Sequence, residues 1–103
     1  MFRILKFDDD NEKRPETLPF RGYFLAIGIN QIHLMELPNV DPIDNRPLHA
    51  GRDRHIAISV KDVDRIRERL DEFSIIYTPS KSGRRAIFTR DPDGNGLEFI
   101  EML

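Results

Sequence analysis

Apolar and polar residues alternate in short segments along most of the chain, which is the pattern of half-buried β-strands. Proline, glycine or runs of polar residues separate many of these segments, as expected between strands. The pattern predicts seven strands, at residues 2–7, 22–28, 30–37, 54–60, 75–79, 85–90 and 96–102. The second and third of these are close enough to form a hairpin, with its turn around Gly28-Ile29-Asn30.

One segment has the periodicity of a helix instead. Its apolar residues recur every three or four positions: Val63, Ile66, Leu70 and Phe73. Asp62 precedes them and is placed to cap the first turn. The pattern therefore predicts an α-helix over residues 62–73. With the strands on either side, it makes residues 54–102 a βαβββ unit.

Two stretches have no periodicity. Residues 8–19 are polar and contain proline, so we expect an exposed loop. Residues 39–53 also contain prolines and read as a linker. The chain then divides into a first group of strands at 1–38, the linker, and a complete module at 54–103. The predicted fold class is α+β.

The two halves share a partial repeat. When the hairpin at 22–37 is compared with the one at 85–102, polar residues occupy the same places within two apolar strands. The matched positions are Asn30 with Asn95, Ile32 with Leu97, His33 with Glu98, and Glu36 with Glu101. The first copy has one strand and a loop before its hairpin, so it lacks the opening strand and helix of the second copy. We therefore interpret it as a truncated βββ module.

Composition excludes several classes of function. Sixteen basic residues nearly balance eighteen acidic ones, which gives no electrostatic reason to expect nucleic acid or an anionic membrane as a partner. No apolar run is long enough to span a membrane, and the start lacks the apolar core of a signal peptide. The chain has no cysteine, so it has neither disulfides nor thiolate ligands. We expect a cytoplasmic protein.

Three residues on predicted strands have side chains suited to a metal. Alternation puts His55, Ala57 and Ser59 on one face of their strand and leaves the opposite, aliphatic face to pack under the helix. A carboxylate such as Glu98 on a mostly apolar strand is costly unless it is paired, hydrogen-bonded or metal-bound. Together, His33, His55 and Glu98 would give two imidazoles and one carboxylate, which suit Zn, Fe, Mn, Ni or Co. Taken singly, each residue also fits an ordinary hydrogen-bonded or solvated position.

Other polar residues have weaker signals. His49 lies in the linker and is either solvated, in contact with a metal-ligating residue, or in contact with a substrate. A hairpin tip carries Lys81, Arg84 and Arg85, which are either solvated or available to an anionic substrate. Glu36 and Glu101 close their strands and are expected to be solvated or salt-bridged. In the turn at 91–95, Pro92 fixes the backbone φ at the second position, and Gly94 or Asn95 can take a positive φ.

The segments "RHIAISVKDVDRIRERL" and "RRAIFTRDPDGNGLEFIEM" together resemble the second module of the vicinal oxygen chelate superfamily, which includes glyoxalase I, bleomycin-resistance proteins and extradiol dioxygenases. The resemblance is carried by His55 at the opening strand, the Asp-Pro-Asp-Gly-Asn turn at 91–95, and Glu98 on the strand after it. The segment "GYFLAIGINQIHLMELP" is similar to the closing hairpin of a first module, with His33 at the ligand position.

The resemblance implies two modules that form a cupped mixed sheet around a divalent metal (Zn, Ni, Fe, Mn or Co), with His33, His55 and Glu98 as ligands. The family's remaining ligand comes from the opening strand that the first module lacks here. Either an extra water completes the site, another chain supplies the ligand, or the site is impaired. A sheet without a strand also exposes backbone groups that favour association. We therefore expect a homodimer whose modules pair across subunits.

The function implied is that of a metal-dependent, glyoxalase-like enzyme, of the lyase, isomerase or dioxygenase type, acting on a small substrate with vicinal oxygens. Glu98 is the candidate catalytic base, and His49, Arg84 and Arg85 are the candidate substrate-binding residues. One alternative is a bleomycin-resistance-like protein that sequesters a small molecule without chemistry. Another is a product in which the first module has decayed. Fold alone does not choose among them, because this scaffold hosts many reactions.

Overall fold

The alternating segments form the strands of two sheets in the computed structural model, which describes Leu5 and residues 7–102. The chain has the predicted α+β class, and its described residues fall into two compact units: residues 7–41 form the first, and residues 42–102 with Leu5 form the second. No helix in the described part of the chain is long and apolar enough to cross a membrane.

The first unit is a three-stranded antiparallel sheet with the strand order β1-β2-β3. Its strands are β1 (Asp8–Asp9), β2 (Gly22–Ile27) and β3 (Asn30–Met35). The predicted hairpin is confirmed: β2 and β3 are joined by the two residues Gly28 and Ile29, and Gly28 has a φ of +58°. Glycine takes this left-handed conformation without the steric cost that a Cβ imposes.

The start of the unit differs from the prediction. Residues 8–19 are not a plain exposed loop, because β1 pairs with β2 and a 3-10 helix follows at Asn11–Lys13. Asp10 attaches this segment to the sheet. It is buried, its backbone N–H donates to the carbonyl of Phe24, and its carboxylate accepts from Gln31. The predicted strand at 2–7 lies outside the described residues apart from Leu5 and Phe7, neither of which is in a strand.

The second unit confirms the predicted βαβββ order. It consists of β4 (His55–Val60), α1 (Val63–Glu72), β5 (Tyr77–Pro79), β6 (Ala86–Arg90) and β7 (Gly96–Glu101). The sheet has the order β4-β7-β6-β5, with β4 parallel to β7 and the other pairs antiparallel. The closing strand β7 therefore lies between the opening strand β4 and its hairpin partner β6.

Helix α1 covers one face of this sheet. The Asp62 side chain accepts from the backbone N–H of Asp64, which confirms the predicted cap. The Glu101 side chain accepts from the N–H of Val63 at 3.0 Å, so β7 also satisfies a donor at the helix start. Leu70 on the helix and Phe99 on β7 are fully buried, and they belong to the core between helix and sheet.

The end of α1 shortens the strand predicted at 75–79. Ser74 has a φ of +55°, and the N–H groups of Ser74 and Ile75 donate to the carbonyls of Asp71 and Leu70. This is a Schellman motif, the usual way in which a helix satisfies its last carbonyls. It removes residues 75 and 76 from the sheet, so β5 begins at Tyr77.

Candidate functional site

One face of the second sheet carries several of the residues predicted to do chemistry. The register pairs Ala57 with Glu98, Glu98 with Phe88, and Phe88 with Thr78, so these side chains form a row across four strands. His55 lies one step along β4 on the same face, because side chains two residues apart share a face. The opposite face of the sheet packs against α1.

Glu98 is the most buried polar group of this face, with a side chain that is 5% exposed, and both of its oxygens are in contact with cations or donors. Its Oε1 lies 3.1 Å from Nε2 of His55, whose side chain is 25% exposed. Its Oε2 lies 3.5 Å from Nη2 of Arg84. The structure therefore brings together three of the predicted residues: His55, Arg84 and Glu98.

The His55 imidazole is oriented by its other nitrogen. Nδ1 lies 2.8 Å from the backbone carbonyl oxygen of Asp53. A carbonyl oxygen only accepts, so Nδ1 must carry a proton and donate it there. In a neutral imidazole this leaves the lone pair on Nε2, directed at the carboxylate of Glu98. Two acceptors 3.1 Å apart are stable only with a proton or a cation between them.

Asp53 is itself held by two arginines. Its carboxylate accepts from Nε of Arg46 at 2.7 Å and from Nη1 of Arg90 at 2.9 Å. The Arg46 hydrogen bonds lower the pKa of Asp53 far below its usual range, with the backbone N–H of Arg54 and the side chain of Arg90 acting in the same direction and burial opposing them. Through Asp53, the end of the predicted linker is thus tied to Arg90, the last residue of β6.

The Phe88 ring contacts two histidines on this face. Its ring contacts His55 edge-on, with centroids 5.3 Å apart, and His49 in a similar arrangement at 4.9 Å. His49 Nδ1 accepts from the backbone N–H of Gly51 and lies 3.4 Å from Oγ1 of Thr78. His49 is therefore on the same face as His55 and Glu98, although it comes from the linker.

Gly96 makes room for His55. The two residues are directly opposite each other in the parallel register of β4 and β7. A Cβ at position 96 would lie 2.6 Å from the carbonyl oxygen of Arg54 and 2.9 Å from the Cβ of His55, closer than such atoms approach. The strands can only pair this closely because position 96 has no side chain.

His33, the candidate ligand of the first unit, is exposed on β3 and stacks flat on Phe24 across the hairpin, with ring centroids 3.7 Å apart. Its Nε2 lies 3.1 Å from Oε1 of Gln31, whose amide nitrogen donates to the carboxylate of Asp10 at 2.5 Å. Because a carboxylate accepts, the amide orientation is fixed and Nε2 of His33 must donate. Nδ1 is then the nitrogen with the lone pair.

Arg85 lies apart from this group. It pairs with Glu101 at 2.5 Å and with Asp64 at 2.9 Å. Glu101 is on the opposite face of β7 from Glu98, since the two positions are three apart in a strand. These two carboxylates raise the pKa of Arg85, and Arg85 in turn lowers that of Glu101. Glu36 likewise forms an ion pair, with Arg21, so both strand-closing glutamates are salt-bridged as expected.

Two contributors were not predicted from the sequence: Phe88 and the carbonyl of Asp53. Phe88 could have been found by counting back across the 91–95 turn, which places it opposite Glu98. Asp53 precedes His55 by two residues but gives no sequence signal, because its role depends on Arg46 and Arg90 folding around it.

The described residues contain no group of three histidine, aspartate or glutamate side chains close enough to hold a metal ion. His55 and Glu98 form a pair of candidate ligands in the second unit, and His33 is a single candidate in the first. The set expected from the sequence therefore remains a prediction.

Comparison with solved structures identifies the fold. A glyoxalase family protein from Bacillus anthracis matches with a TM-score of 0.74 at 22% identity, covering 98% of this chain and 77% of that one. A mutant of the fosfomycin resistance protein FosX from Listeria monocytogenes, complexed with Mn(II) and 1S,2S-dihydroxypropylphosphonic acid, matches with a TM-score of 0.68 at 20% identity, covering 99% and 78%. Lactoylglutathione lyase from Agrobacterium tumefaciens matches with a TM-score of 0.62 at 22% identity, covering 97% and 79%.

These identities are low enough that the likeness concerns the fold alone. Among curated protein sequences, none matches this chain. The family model named Glyoxalase/Bleomycin resistance protein/Dioxygenase superfamily matches residues 3–99, nearly the whole chain. The resemblance found in the sequence is confirmed: the chain belongs to the Glyoxalase/Bleomycin resistance protein/Dioxygenase superfamily.

Proposed function

We propose that the chain is a metal-dependent, glyoxalase-like enzyme of the lyase, isomerase or dioxygenase type, with His33, His55 and Glu98 as metal ligands. The observation that carries this proposal is the contact between Nε2 of His55 and Oε1 of Glu98, 3.1 Å apart, with the other imidazole nitrogen already donating to Asp53. Donor atoms this close can bind one divalent cation, because the bonds from zinc to nitrogen and oxygen are about 2.1 Å long. The pair therefore fits a divalent cation.

The surrounding residues suit that role. A backbone carbonyl that fixes the tautomer of a histidine is the usual support of a metal-binding imidazole, and Gln31 supports His33 in the same way. A divalent metal bound here would act as a Lewis acid toward the vicinal oxygens of a small substrate. Zn, Ni, Fe, Mn and Co all accept such ligands. A complex of the Listeria relative contains Mn(II), which is consistent with this choice of ligands.

The residues around the pair bind and orient the substrate in this proposal. Arg84 is half exposed and already contacts Glu98, so its guanidinium can attract an oxyanion to the same place. His49 adds an imidazole on the far side of Phe88. Glu98 is the candidate base, since its Oε2 has only the 3.5 Å contact with Arg84 and can take up a substrate proton. Arg85 is engaged by Glu101 and Asp64, which weakens the case for it as a substrate contact.

Metal content tests this proposal. Protein purified without a histidine tag is incubated with Mn(II) or Zn(II), freed of loose metal and analysed for bound metal. We expect stoichiometric metal in the wild type and at least a tenfold lower affinity in Glu98→Gln, because an amide oxygen carries no charge. Glu101→Gln, a change of the same kind on the opposite face of β7, is the matched control and should bind as the wild type does. His33→Ala tests whether the first unit contributes.

A metal-free wild type with an intact fold, or full metal content in Glu98→Gln, would contradict the proposal of a metal-dependent enzyme. Those results would favour a second function: a protein that sequesters a small molecule without chemistry. One observation supports it, because His55 and Arg84 satisfy both Glu98 oxygens from within the chain when His55 carries a second proton. In that case the row from Ala57 to Thr78 would be a binding surface only.

A homodimer is part of the proposal. β3 and β4 are edge strands, each paired on one side within the described residues. Apolar side chains are exposed along these strands, with Met35 60% and Ile56 50% accessible. An unpaired, apolar strand edge favours pairing with another chain. We expect a dimer by light scattering at micromolar concentration, weakened at least tenfold by Met35→Asp and unaffected by Ile76→Asp, which alters an exposed residue outside the strands. A stable monomer would contradict this.

A further inference from the structure

The first unit contains a cavity of about 380 Å³ beside His33. It lies between β2, β3 and the segment after the 3-10 helix, and its walls are mostly apolar. The apolar lining residues include Leu18, Phe20, Phe24, Leu34 and Met35. A cavity of this size with apolar walls and few polar groups is typical of a small-molecule site.

The cavity also has a cationic wall. The guanidinium of Arg14 lines it, and its Nη2 donates to the backbone carbonyl of Phe20. The same guanidinium lies 5.8 Å from the centre of the Phe20 ring. Nε of Arg14 is buried and has no hydrogen-bond partner in the described structure. A buried polar hydrogen without an acceptor costs free energy, so the hydrogen bonds of this guanidinium are incomplete within the described residues.

The charges around Arg14 are unbalanced within the described residues. Among the described residues, no carboxylate forms an ion pair with it, and the lining contains no acidic residue. The other lining cation, Lys13, is mostly exposed and pairs with Asp10 at 3.2 Å. A guanidinium against apolar walls, without a counter-ion, is complementary to an anion that also has an apolar body.

We propose that this cavity binds a small organic carboxylate, with the carboxylate on Arg14 and the apolar body against Phe20 and Phe24. Inorganic anions match the charge but leave the apolar walls uncovered, and neutral molecules of the same shape leave Arg14 without an acceptor. His33 lines the cavity as well. The idea that this carboxylate is the substrate therefore rests on the proposed function, whereas the binding itself does not.

The test uses the whole, metal-free protein and isothermal titration calorimetry. Phenylacetate and phenylacetamide share a ring and differ in charge, so their ratio isolates the contribution of Arg14. We expect phenylacetate to bind at least tenfold more tightly than the amide, and inorganic phosphate to bind at least tenfold more weakly than phenylacetate. Equal binding of the acid and the amide by the wild type overturns the proposal, and so does a failure of phenylacetate to bind.

Two variants locate the site. Arg14→Gln should lower the affinity for phenylacetate at least tenfold and bring it to the level of the amide. Arg21→Gln is the control, since Arg21 is an exposed arginine of the same unit that pairs with Glu36 and does not line the cavity. Unchanged affinity in folded Arg14→Gln overturns the proposal. The wild-type comparison decides the matter even if this variant does not fold, and metal-free protein keeps the result independent of His55 and Glu98.

Discussion

The β2–β3 and β6–β7 hairpins present a candidate ligand in the same way, but they differ in what lies behind it. His33 is directly opposite Phe24 in the first hairpin, and Glu98 is directly opposite Phe88 in the second. His33 is exposed, whereas the Glu98 side chain is 5% exposed. Helix α1 covers the other face of the second hairpin, and residues 7–41 contain no α-helix.

The difference shows how the fold makes a site rigid. A strand packed on one face by a helix cannot move without disturbing the core, so the polar residue on its other face keeps its position. Residues 7–41 give the first hairpin no such helix, and His33 is held by stacking on Phe24 and by a polar chain through Gln31. Two equivalent positions in a repeat thus have unequal structural support.

The residue that follows each candidate ligand gives the largest test of this comparison. Phe99 is fully buried under α1, whereas its counterpart Leu34 is 42% exposed. Phe99→Ala should lower the free energy of unfolding by about 3–5 kcal/mol, because it leaves a cavity in the core. Leu34→Ala should cost less than about 1 kcal/mol, because much of its surface is already in water. Urea denaturation monitored by circular dichroism measures both.

Similar losses in the two variants would show that the first hairpin is as well supported as the second. The slope of the urea transition is a useful check, since a changed slope would indicate that the variant alters the unfolded ensemble or breaks two-state behaviour.

The glutamates that close the two hairpins give a smaller, pH-dependent test. Arg85, followed by the backbone N–H of Val63, holds the pKa of Glu101 below its usual value of 4.5. A depressed carboxyl pKa stabilises the folded state above that usual value, and the effect is lost as the pH falls through the folded pKa. Glu101→Gln should therefore lower the urea midpoint at pH 7, by less than Phe99→Ala does, and the difference should shrink below about pH 4.5.

Glu36→Gln is the matched control in the first hairpin. Its ion pair with Arg21 is largely exposed, and exposed pairs contribute little to stability. We expect its urea midpoint to follow the wild type from pH 7 to pH 3. If Glu101→Gln also follows the wild type, the link between β7 and the start of α1 does not contribute to stability.

Much of the second unit could be predicted from residue pattern. Helical spacing and Asp62 located α1, and alternation placed His55 and the aliphatic residues on opposite faces of β4. The 91–95 turn fixed the register that pairs Glu98 with Phe88, with Gly94 at a φ of +87°. These features depend on residues close in sequence, so a local pattern is sufficient to predict them.

The features that the sequence did not predict depend on residues that are distant in the chain. The linker has no periodicity, yet Arg46 and Arg90 clamp Asp53, whose carbonyl orients His55. Arg14 lines a cavity only because the segment around it packs on β2 and β3. Neither contact can be recognised from a sequence pattern, because nothing in the sequence distinguishes these arginines from exposed ones. Polar groups of this kind can be located only once the path of the backbone is known.

The pairing of Gly96 with His55 has a consequence for how this site can change. A single added carbon at position 96 would push β4 away from β7 and so separate the imidazole from Glu98. The spacing of the two candidate ligands is therefore set by a residue that has no functional group. Substitutions on the rim of the site can change what it binds, but a substitution at this glycine would change whether the two groups act together.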